Sequence, residues 1–197
     1  MSRYLFQPKI TTTTNIGDYV YWENGFSDEE IENIIALGEL RNPLQATIDQ
    51  DRIVKDIRIS NISWIDFQED SAWLYDKVSY IINTLNNQYY RFDLSGFYED
   101  MQFTVYSGNE LGHYDWHLDS IPNSETPRKL SFVLQLSDPN DYEGGELQLM
   151  HSTNPKTVRK EKGFTVIFPS YTLHRVTPIT KGTRKTLVVW TTGPSFR

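Results

Sequence analysis

The sequence predicts an α+β protein that is mainly β, with two helices packed on one face of a β-sandwich. Helical periodicity is confined to two stretches in the first half of the 197-residue chain. After residue 96 the pattern changes to period two, in which apolar and polar residues alternate as in strands that bury one face. Because the helical patterns precede the run of strands, we expect the helices to cover the strand layers from one side.

The first helix is predicted by a capping box. Ser27 and Glu30 stand at the spacing of such a box, and Ile31, Ile34 and Ile35 follow on one helical face. We expect this helix to end near Gly38.

The second helix is predicted over about Glu69 to Tyr89. Apolar residues recur there at helical spacing, and the stripe is expected to pack on a sheet. The stripe consists of Leu74, Val78, Ile81, Ile82, Leu85 and Tyr89.

Strands are predicted wherever apolar and polar residues alternate. Met101, Phe103 and Val105 alternate with Gln102, Thr104 and Tyr106, and Leu130 to Leu136 follow the same rule. One or two strands are also expected within residues 4–26. Further strands are predicted at Ile53–Ile59, Asn61–Trp64, Glu146–Met150, Phe164–Phe168 and Arg184–Thr192.

The chain is predicted to form one domain, residues 1–197. Helical support and N-terminal strands occupy about residues 1–96, and the strand core occupies about residues 97–197. No internal repeat and no linker divides it, and its length suffices for a sizeable core.

Composition excludes several classes of function. The chain has no cysteine, which excludes disulfides, zinc-thiolate sites and iron–sulfur clusters and is compatible with a reducing cytoplasm, the expected location. We see no signal peptide and no apolar run of membrane-spanning length, so we expect no membrane partner. The net charge of −7 argues against a nucleic-acid partner. The oligomeric state stays open.

Two His-x-Asp pairs, His113/Asp115 and His117/Asp119, lie within one short stretch. Residues i and i+2 of a strand point to the same face, so either pair can aim an imidazole and a carboxylate at one point. We favour His117/Asp119, because it comes at the strand end, just before a turn marked by proline. His113 is then a neighbouring histidine outside the site.

His174, far downstream, is the third candidate ligand. A second imidazole beside a His-x-Asp pair gives three ligands that cover one face of a metal ion. This 2-His-1-carboxylate arrangement leaves positions open on non-haem Fe(II). His117, Asp119 and His174 are therefore predicted to bind a metal.

Arg184 follows His174 by ten residues, across a turn marked by Pro178 and Gly182. This set resembles the Fe(II)/2-oxoglutarate dioxygenases, and among them the prolyl 4-hydroxylase-like branch, over about residues 58–192. The resemblance implies a double-stranded β-helix, that is, a cupin-like jelly roll. The stretches that carry it are Arg58–Trp64, Tyr114–Asp119, Arg128–Ser137, Asp138–Leu147 and Tyr171–Arg184.

The resemblance also implies a site for 2-oxoglutarate, in which Arg184 holds the distal carboxylate. The planar guanidinium can grip a carboxylate with two hydrogen bonds. If Arg184 faces the barrel interior, period two sends Thr186 and Trp190 the same way, and Thr186 offers a hydroxyl to the same carboxylate. Tyr106 is expected to help bind the co-substrate. Gln135 lies where some relatives present a tyrosine to the co-substrate. Because of this departure, the contacts in this part of the pocket are not assigned.

By resemblance, the chain is an Fe(II)- and 2-oxoglutarate-dependent dioxygenase. It would hydroxylate prolyl residues of a peptide or protein to 4-hydroxyproline, consume O2, release succinate and CO2, and use ascorbate as reductant. Two alternatives stay open. One is the same chemistry on a free amino acid, another small molecule or a nucleobase, and the other is a non-catalytic jelly-roll binding module. The complete set of His117, Asp119, His174 and Arg184 favours the enzyme.

Two loops are expected to set substrate choice. Residues 41–57 are polar and charged and contain Pro43, so we expect a mobile lid; the second loop is residues 119–129.

Overall fold

Both expected helices are present in the computed structural model, which describes residues 19–46, 56–120 and 127–195. Helix α1 spans Asp28–Leu40. Its capping box is formed, because the amide of Glu30 donates to Ser27 Oγ at 3.2 Å and the amide of Ser27 donates to Glu30 Oε2 at 2.7 Å. The predicted start is therefore confirmed.

Helix α2 spans Ala72–Leu85 and begins later than the predicted Glu69. Ser71 Oγ accepts a hydrogen bond from the Gln68 amide at 2.9 Å, so the residues just before the helix form a turn. The chain continues beyond α2 as a π-helical turn, Asn86–Tyr90.

The described residues contain thirteen strands between Val20 and Thr192. They are β1 (Val20–Trp22), β2 (Leu44–Gln45), β3 (Arg58–Ile59), β4 (Asn61–Ile65), β5 (Met101–Ser107), β6 (His113–His117), β7 (Arg128–Gln135), β8 (Tyr142–Gly144), β9 (Leu147–Met150), β10 (Lys156–Thr157), β11 (Thr165–Pro169), β12 (Leu173–Val176) and β13 (Ile179–Thr192).

Within the described residues the strands form two antiparallel sheets. The larger, eight-stranded sheet has the order β1-β11-β7-β13-β5-β4-β2, and β8 pairs with the first part of β13. The five-stranded sheet has the order β10-β9-β12-β6-β3. The expected α+β architecture, mainly β, is confirmed.

Alternate residues of the larger sheet point to opposite faces, and each face contributes to a different hydrophobic core. One face packs on α1 and α2, and the other faces the smaller sheet. The helix side includes Met101, Phe103, Leu130, Phe132, Leu134, Leu187 and Val189. The inner side includes Gln102, Tyr106, Ser131, Val133, Arg184, Thr186, Val188 and Trp190. The polar members of the inner side predict where the site lies.

Four expectations fall partly outside the described residues. These are the one or two strands within residues 4–26, the start of the strand Ile53–Ile59, most of the 41–57 segment and the middle of the 119–129 loop. Among the described residues, no helix is both long enough and apolar enough to cross a membrane.

Candidate metal and co-substrate site

The three predicted ligands come together between the two sheets. His117 ends β6 and pairs with His174 on β12, while Asp119 lies just beyond β6. His117 Nε2 lies 3.6 Å from Asp119 Oδ1, and His174 Nε2 lies 3.4 Å from Asp119 Oδ2. One ligand atom from each residue lies within 4.8 Å of the others. Three donors thus face one point, as a facial site requires.

Backbone carbonyls set the tautomer of both imidazoles. His117 Nδ1 lies 2.8 Å from the carbonyl oxygen of Asp115, and His174 Nδ1 lies 2.8 Å from that of Thr172. A carbonyl oxygen can only accept, so each Nδ1 carries the proton and donates. Each Nε2 therefore keeps its lone pair for a metal.

Asp119 is held by two serines rather than by the strand on which the sequence placed it. Strand β6 ends at His117, and the Asp119 amide donates instead to the Ser170 carbonyl at 3.0 Å. Ser131 Oγ donates to Asp119 Oδ2 at 2.7 Å and lies 3.0 Å from Ser170 Oγ. These contacts fix the Asp119 carboxylate in the position where it would bind the same metal ion as the two imidazoles.

The protonation states suit metal binding. Burial, together with the charge of His174, lowers the pKa of His117 to about 4, so this imidazole is neutral near pH 7. Burial opposes ionisation of Asp119, but the charges of His174 and His117 and the hydrogen bond from Ser131 outweigh it and hold the pKa of Asp119 below its usual range. A neutral imidazole and an ionised carboxylate are the forms that ligate metals.

A cavity of about 590 Å³ opens onto the triad. Of the residues that the sequence assigned to the co-substrate, Tyr106, Arg184, Thr186 and Trp190 line it. Gln135 does not line the cavity but contacts Arg184. A volume of this order accommodates a small co-substrate together with part of a substrate.

Arg184 is buried on the inner face of β13, with 1% of its surface exposed. Its Nη2 donates to Gln135 Oε1 at 3.0 Å, its Nε has no partner, and its Cζ lies 5.5 Å from the Tyr106 ring centroid. Within the described part of the chain, no carboxylate forms an ion pair with it. A buried, unpaired cation is costly, so this end of the cavity suits an anion.

The other His-x-Asp pair lies apart from the cluster. His113 Nδ1 bonds to the Leu111 carbonyl at 2.9 Å, and Asp115 is exposed and accepts from the Trp116 amide at 2.8 Å. Neither belongs to the group of candidate ligands found among the described residues.

Sequence reasoning missed several residues that line the cavity. Glu99 forms an ion pair with Arg128, whose Cζ lies 3.8 Å over the Trp190 ring. Arg58 on β3 lies over Tyr114, whose ring stacks on His117. A signal was present for Arg58, because the Arg58–Trp64 stretch resembles the hydroxylase branch, but its place beside the metal site depends on how β3 pairs with β6.

Known proteins with similar sequences are iron-dependent oxygenases or hydroxylases by name. The model of the 2OG-Fe(II) oxygenase superfamily matches residues 101–192. A PKHD-type hydroxylase of Synechococcus sp. (strain CC9902) is 42% identical over 85 residues, which cover 43% of this chain and 38% of the relative. One of Teredinibacter turnerae is 40% identical over 84 residues, which cover 40% of this chain and 37% of the relative. The chain thus spans about two-fifths of the length of the curated relatives that it matches.

Solved structures show the fold over almost the whole chain. A prolyl-4-hydroxylase of Pseudomonas putida superposes with a TM-score of 0.73 at 21% identity, covering 91% of this chain and 95% of that one. A prolyl hydroxylase of Trichoplax adhaerens, in complex with a hypoxia inducible factor peptide fragment, gives 0.76 at 19% identity and covers 91% and 85%. The expected jelly roll is therefore confirmed. The family match makes residues 101–192 similar to the 2OG-Fe(II) oxygenase superfamily, and the solved structures show that the chain has a prolyl 4-hydroxylase-like fold.

Proposed function

We propose that the protein is an Fe(II)- and 2-oxoglutarate-dependent dioxygenase that hydroxylates prolyl residues of a peptide or protein. One observation supports this above all: the His117, Asp119 and His174 donors share a cavity with Arg184, a buried cation without a carboxylate partner among the described residues. We also propose that residues 1–197 act as one domain, since strands from both halves of the chain join the same sheets.

The donor set fits Fe(II). Two imidazoles and one carboxylate offer nitrogen and oxygen ligands and leave coordination positions for other groups. In this proposal His117, Asp119 and His174 hold the metal. When bound, iron with 2-oxoglutarate and O2 supplies the oxidising power for inserting oxygen into a C–H bond, with release of succinate and CO2 and with ascorbate as reductant.

The Arg184 end of the cavity fits the distal carboxylate of 2-oxoglutarate. The unpartnered Nε of Arg184 can donate to it, and Thr186 lies on the same inner face of β13. Tyr106 closes the cavity beside the guanidinium. Because these groups are fixed before binding, little ordering is needed when the co-substrate enters.

The role of the protein in the reaction is orientation and exclusion of water. Ser131 and the carbonyls of Asp115 and Thr172 hold the three ligands in place. Val133 and Val188 add apolar surface to the wall of the cavity, which would limit the access of water to the bound groups.

The proposed prolyl substrate would enter beside two tryptophans. Trp64 is partly exposed, and its ring lies 6.3 Å from that of Trp190, which is covered by Arg128. Aromatic faces of this kind pack well on an apolar five-membered ring. The solved relatives that carry the name prolyl hydroxylase support the same substrate class.

Anaerobic titration of Fe(II) and then of 2-oxoglutarate tests the proposal, with the metal-to-ligand charge-transfer band as readout. His117→Ala, Asp119→Ala or His174→Ala is expected to weaken Fe(II) binding and abolish activity. Arg184→Leu leaves a carboxylate unpaired, at a cost on the order of 2–5 kcal/mol, which corresponds to a roughly tens- to thousands-fold weaker 2-oxoglutarate affinity. Iron affinity should change far less.

The matched control is His113→Ala, which removes an imidazole from the same strand outside the cluster and should retain most activity. Loss of metal binding in His113→Ala with retention in His117→Ala would show that the other pair binds the metal. Unchanged 2-oxoglutarate affinity in Arg184→Leu would remove the case for this co-substrate. Mass spectrometry of proline-rich peptides after incubation with iron, ascorbate and 2-oxoglutarate then tests the substrate.

A further inference from the structure

A second buried arginine, Arg58, lines the cavity. Only 7% of its surface is exposed, although it lies on β3 at the edge of the smaller sheet. Its Nε donates to Ser60 Oγ at 2.8 Å. No carboxylate forms an ion pair with it anywhere in residues 19–46, 56–120 and 127–195. Such a side chain is costly to bury unless an anion completes its surroundings.

Arg58 is held close to the metal ligands. Its Cζ lies 4.7 Å from the centroid of the Tyr114 ring, which in turn stacks on His117 with centroids 3.5 Å apart and planes 11° apart. Its backbone is paired with Tyr114 as well, because β3 and β6 are neighbours. A group held by Arg58 therefore lies beside the point where the reaction would take place.

The described charges of the loaded cavity leave Arg58 without a counterion among them. Glu99 neutralises Arg128. Asp119 and the proximal carboxylate of 2-oxoglutarate would balance the two charges of Fe(II), and the distal carboxylate would balance Arg184. Among the described charged residues that line the cavity, only Arg58 then remains without an opposite charge.

We propose that Arg58 is a specificity-determining residue that binds a carboxylate of the substrate. This inference rests on the proposed function and names its substrate class: a prolyl compound with a carboxylate close to the ring that is hydroxylated. The planar guanidinium, already fixed by Ser60 and Tyr114, matches a carboxylate with two parallel hydrogen bonds.

Two sources offer this chemistry. One is an Asp or Glu side chain that neighbours the target residue in a peptide, and the other is the α-carboxylate of a free amino acid or of a C-terminal proline. Both would pair with Arg58 in the same way, and a substrate without the carboxylate would leave the buried cation unpaired. The cavity would reject such a substrate, because a site built for a polar group discriminates strongly against analogues that lack it.

The experiment compares carboxylates with their amides in the iron-loaded enzyme with 2-oxoglutarate, ascorbate and air. One arm uses proline-containing peptides with randomised flanks, sequenced by mass spectrometry after hydroxylation. The other compares L-proline with L-prolinamide, and peptides that end in proline with their C-terminal amides. We expect either Asp and Glu to be enriched at one fixed position, or the free acids to be converted about ten- to a hundredfold more efficiently than the amides.

Variants then assign the preference to Arg58. R58Q should lose about ten- to a hundredfold in kcat/KM on the preferred carboxylate substrate and little on its amide, with unchanged 2-oxoglutarate affinity. R58K keeps the charge and should retain part of the preference. R175Q is the matched control, because Arg175 is also stacked on an aromatic ring, that of Trp116 at 4.6 Å, but does not line the cavity.

The outcomes separate this inference from the proposed function. Equal conversion of acids and amides by the wild-type enzyme, or a preference that survives in R58Q, overturns the inference and leaves the proposed function intact. If 2-oxoglutarate binds but neither arm yields a product, the prolyl substrate and the inference both fail. If 2-oxoglutarate does not bind, the proposed function fails and the inference fails with it. The wild-type comparison decides even if R58Q does not fold.

Discussion

Arg184 and Gln135, on the adjacent strands β13 and β7, are joined by a hydrogen bond of 3.0 Å from Nη2 to Oε1. An amide oxygen can accept from a guanidinium but cannot neutralise its charge. The glutamine therefore orients the arginine and leaves its charge available for an anion.

Gln135→Leu is expected to destabilise the protein more without 2-oxoglutarate than with it. The substitution leaves a buried Nη2 without its acceptor, at a cost of about 1–3 kcal/mol. A bound carboxylate would supply a new acceptor and so recover part of the loss. Chemical denaturation with and without saturating 2-oxoglutarate measures the difference.

The control for Gln135→Leu is Gln148→Leu, which removes the acceptor at 2.9 Å from Arg175 Nε outside the cavity. Its effect on stability should not depend on 2-oxoglutarate. An equal loss in Gln135→Leu with and without the co-substrate would contradict the prediction.

Gly145→Ala is expected to disturb both the fold and the anchor for the co-substrate. Gly145 has φ of +62°, and a Cβ there would lie 2.0 Å from Ile179 Cδ1 and 3.0 Å from Arg184 Cδ. Backbone strain and overpacking together should cost at least about 2 kcal/mol, and a displaced Arg184 should bind 2-oxoglutarate more weakly. Gly96→Ala isolates the backbone strain, because φ is +127° and nothing lies within 4 Å of its Cβ. Equal 2-oxoglutarate affinity in the two variants would show that Gly145 has no role beyond its turn.

The sequence predicted those features that depend on local pattern. The capping box of Ser27 and Glu30 determines where α1 begins, and alternation along β13 determines that Arg184, Thr186 and Trp190 share the inner face. Both follow from periodicities that a few neighbouring residues express. The start of α1 and the inner face of β13 could therefore be predicted from local pattern, whereas the jelly roll and the grouping of the distant His174 with His117 and Asp119 were supported by the family resemblance.

Features that depend on pairing between distant segments could not be predicted in this way. Arg58 lies over Tyr114 only because the two-residue strand β3 adds to the edge of β6, and nothing local specifies that partner. Asp119 likewise depends on Ser131 and Ser170, which meet because β7 and β11 are neighbours. Short strands and side-chain networks acquire their partners from tertiary structure.

Ser131→Ala is expected to weaken metal binding while the fold stays intact. Ser131 Oγ donates to Asp119 Oδ2 at 2.7 Å, and groups that orient a ligand typically contribute about 10–100-fold to metal affinity. Titration with Fe(II) or Mn(II) measures the change. Ser63→Ala is the matched control, because its hydroxyl is also buried but donates to the Gly38 carbonyl at 2.6 Å, on the helix side of the sheet. Ser63→Ala should lower stability and spare metal affinity; the reverse result would remove Ser131 from the site.

Gly38→Ala is expected to destabilise the protein although alanine favours helices. Gly38 lies in α1, where alanine would gain about 1 kcal/mol in an exposed position. Here a Cβ would lie 2.2 Å from Phe103 Cγ, and Phe103 is fully buried on β5, so helix and sheet would have to separate. Overpacking of this kind typically costs about 1–3 kcal/mol, and the clash should outweigh the propensity. Thermal and chemical denaturation measure the sign of the change.

Variants on the exposed face of α1 separate the effect of packing from that of helix propensity in the Gly38→Ala experiment. Asn33→Ala, on the exposed face of α1, should raise stability by a few tenths of a kcal/mol, because only propensity acts there. Phe103→Leu removes part of the ring that meets the new Cβ. The double variant with Gly38→Ala should therefore lose less stability than the two single losses together, since residues in contact are not additive. If Gly38→Ala stabilises the protein as Asn33→Ala does, α1 can move away from the sheet at little cost, and the close packing of Gly38 on Phe103 does not hold the helix against the barrel.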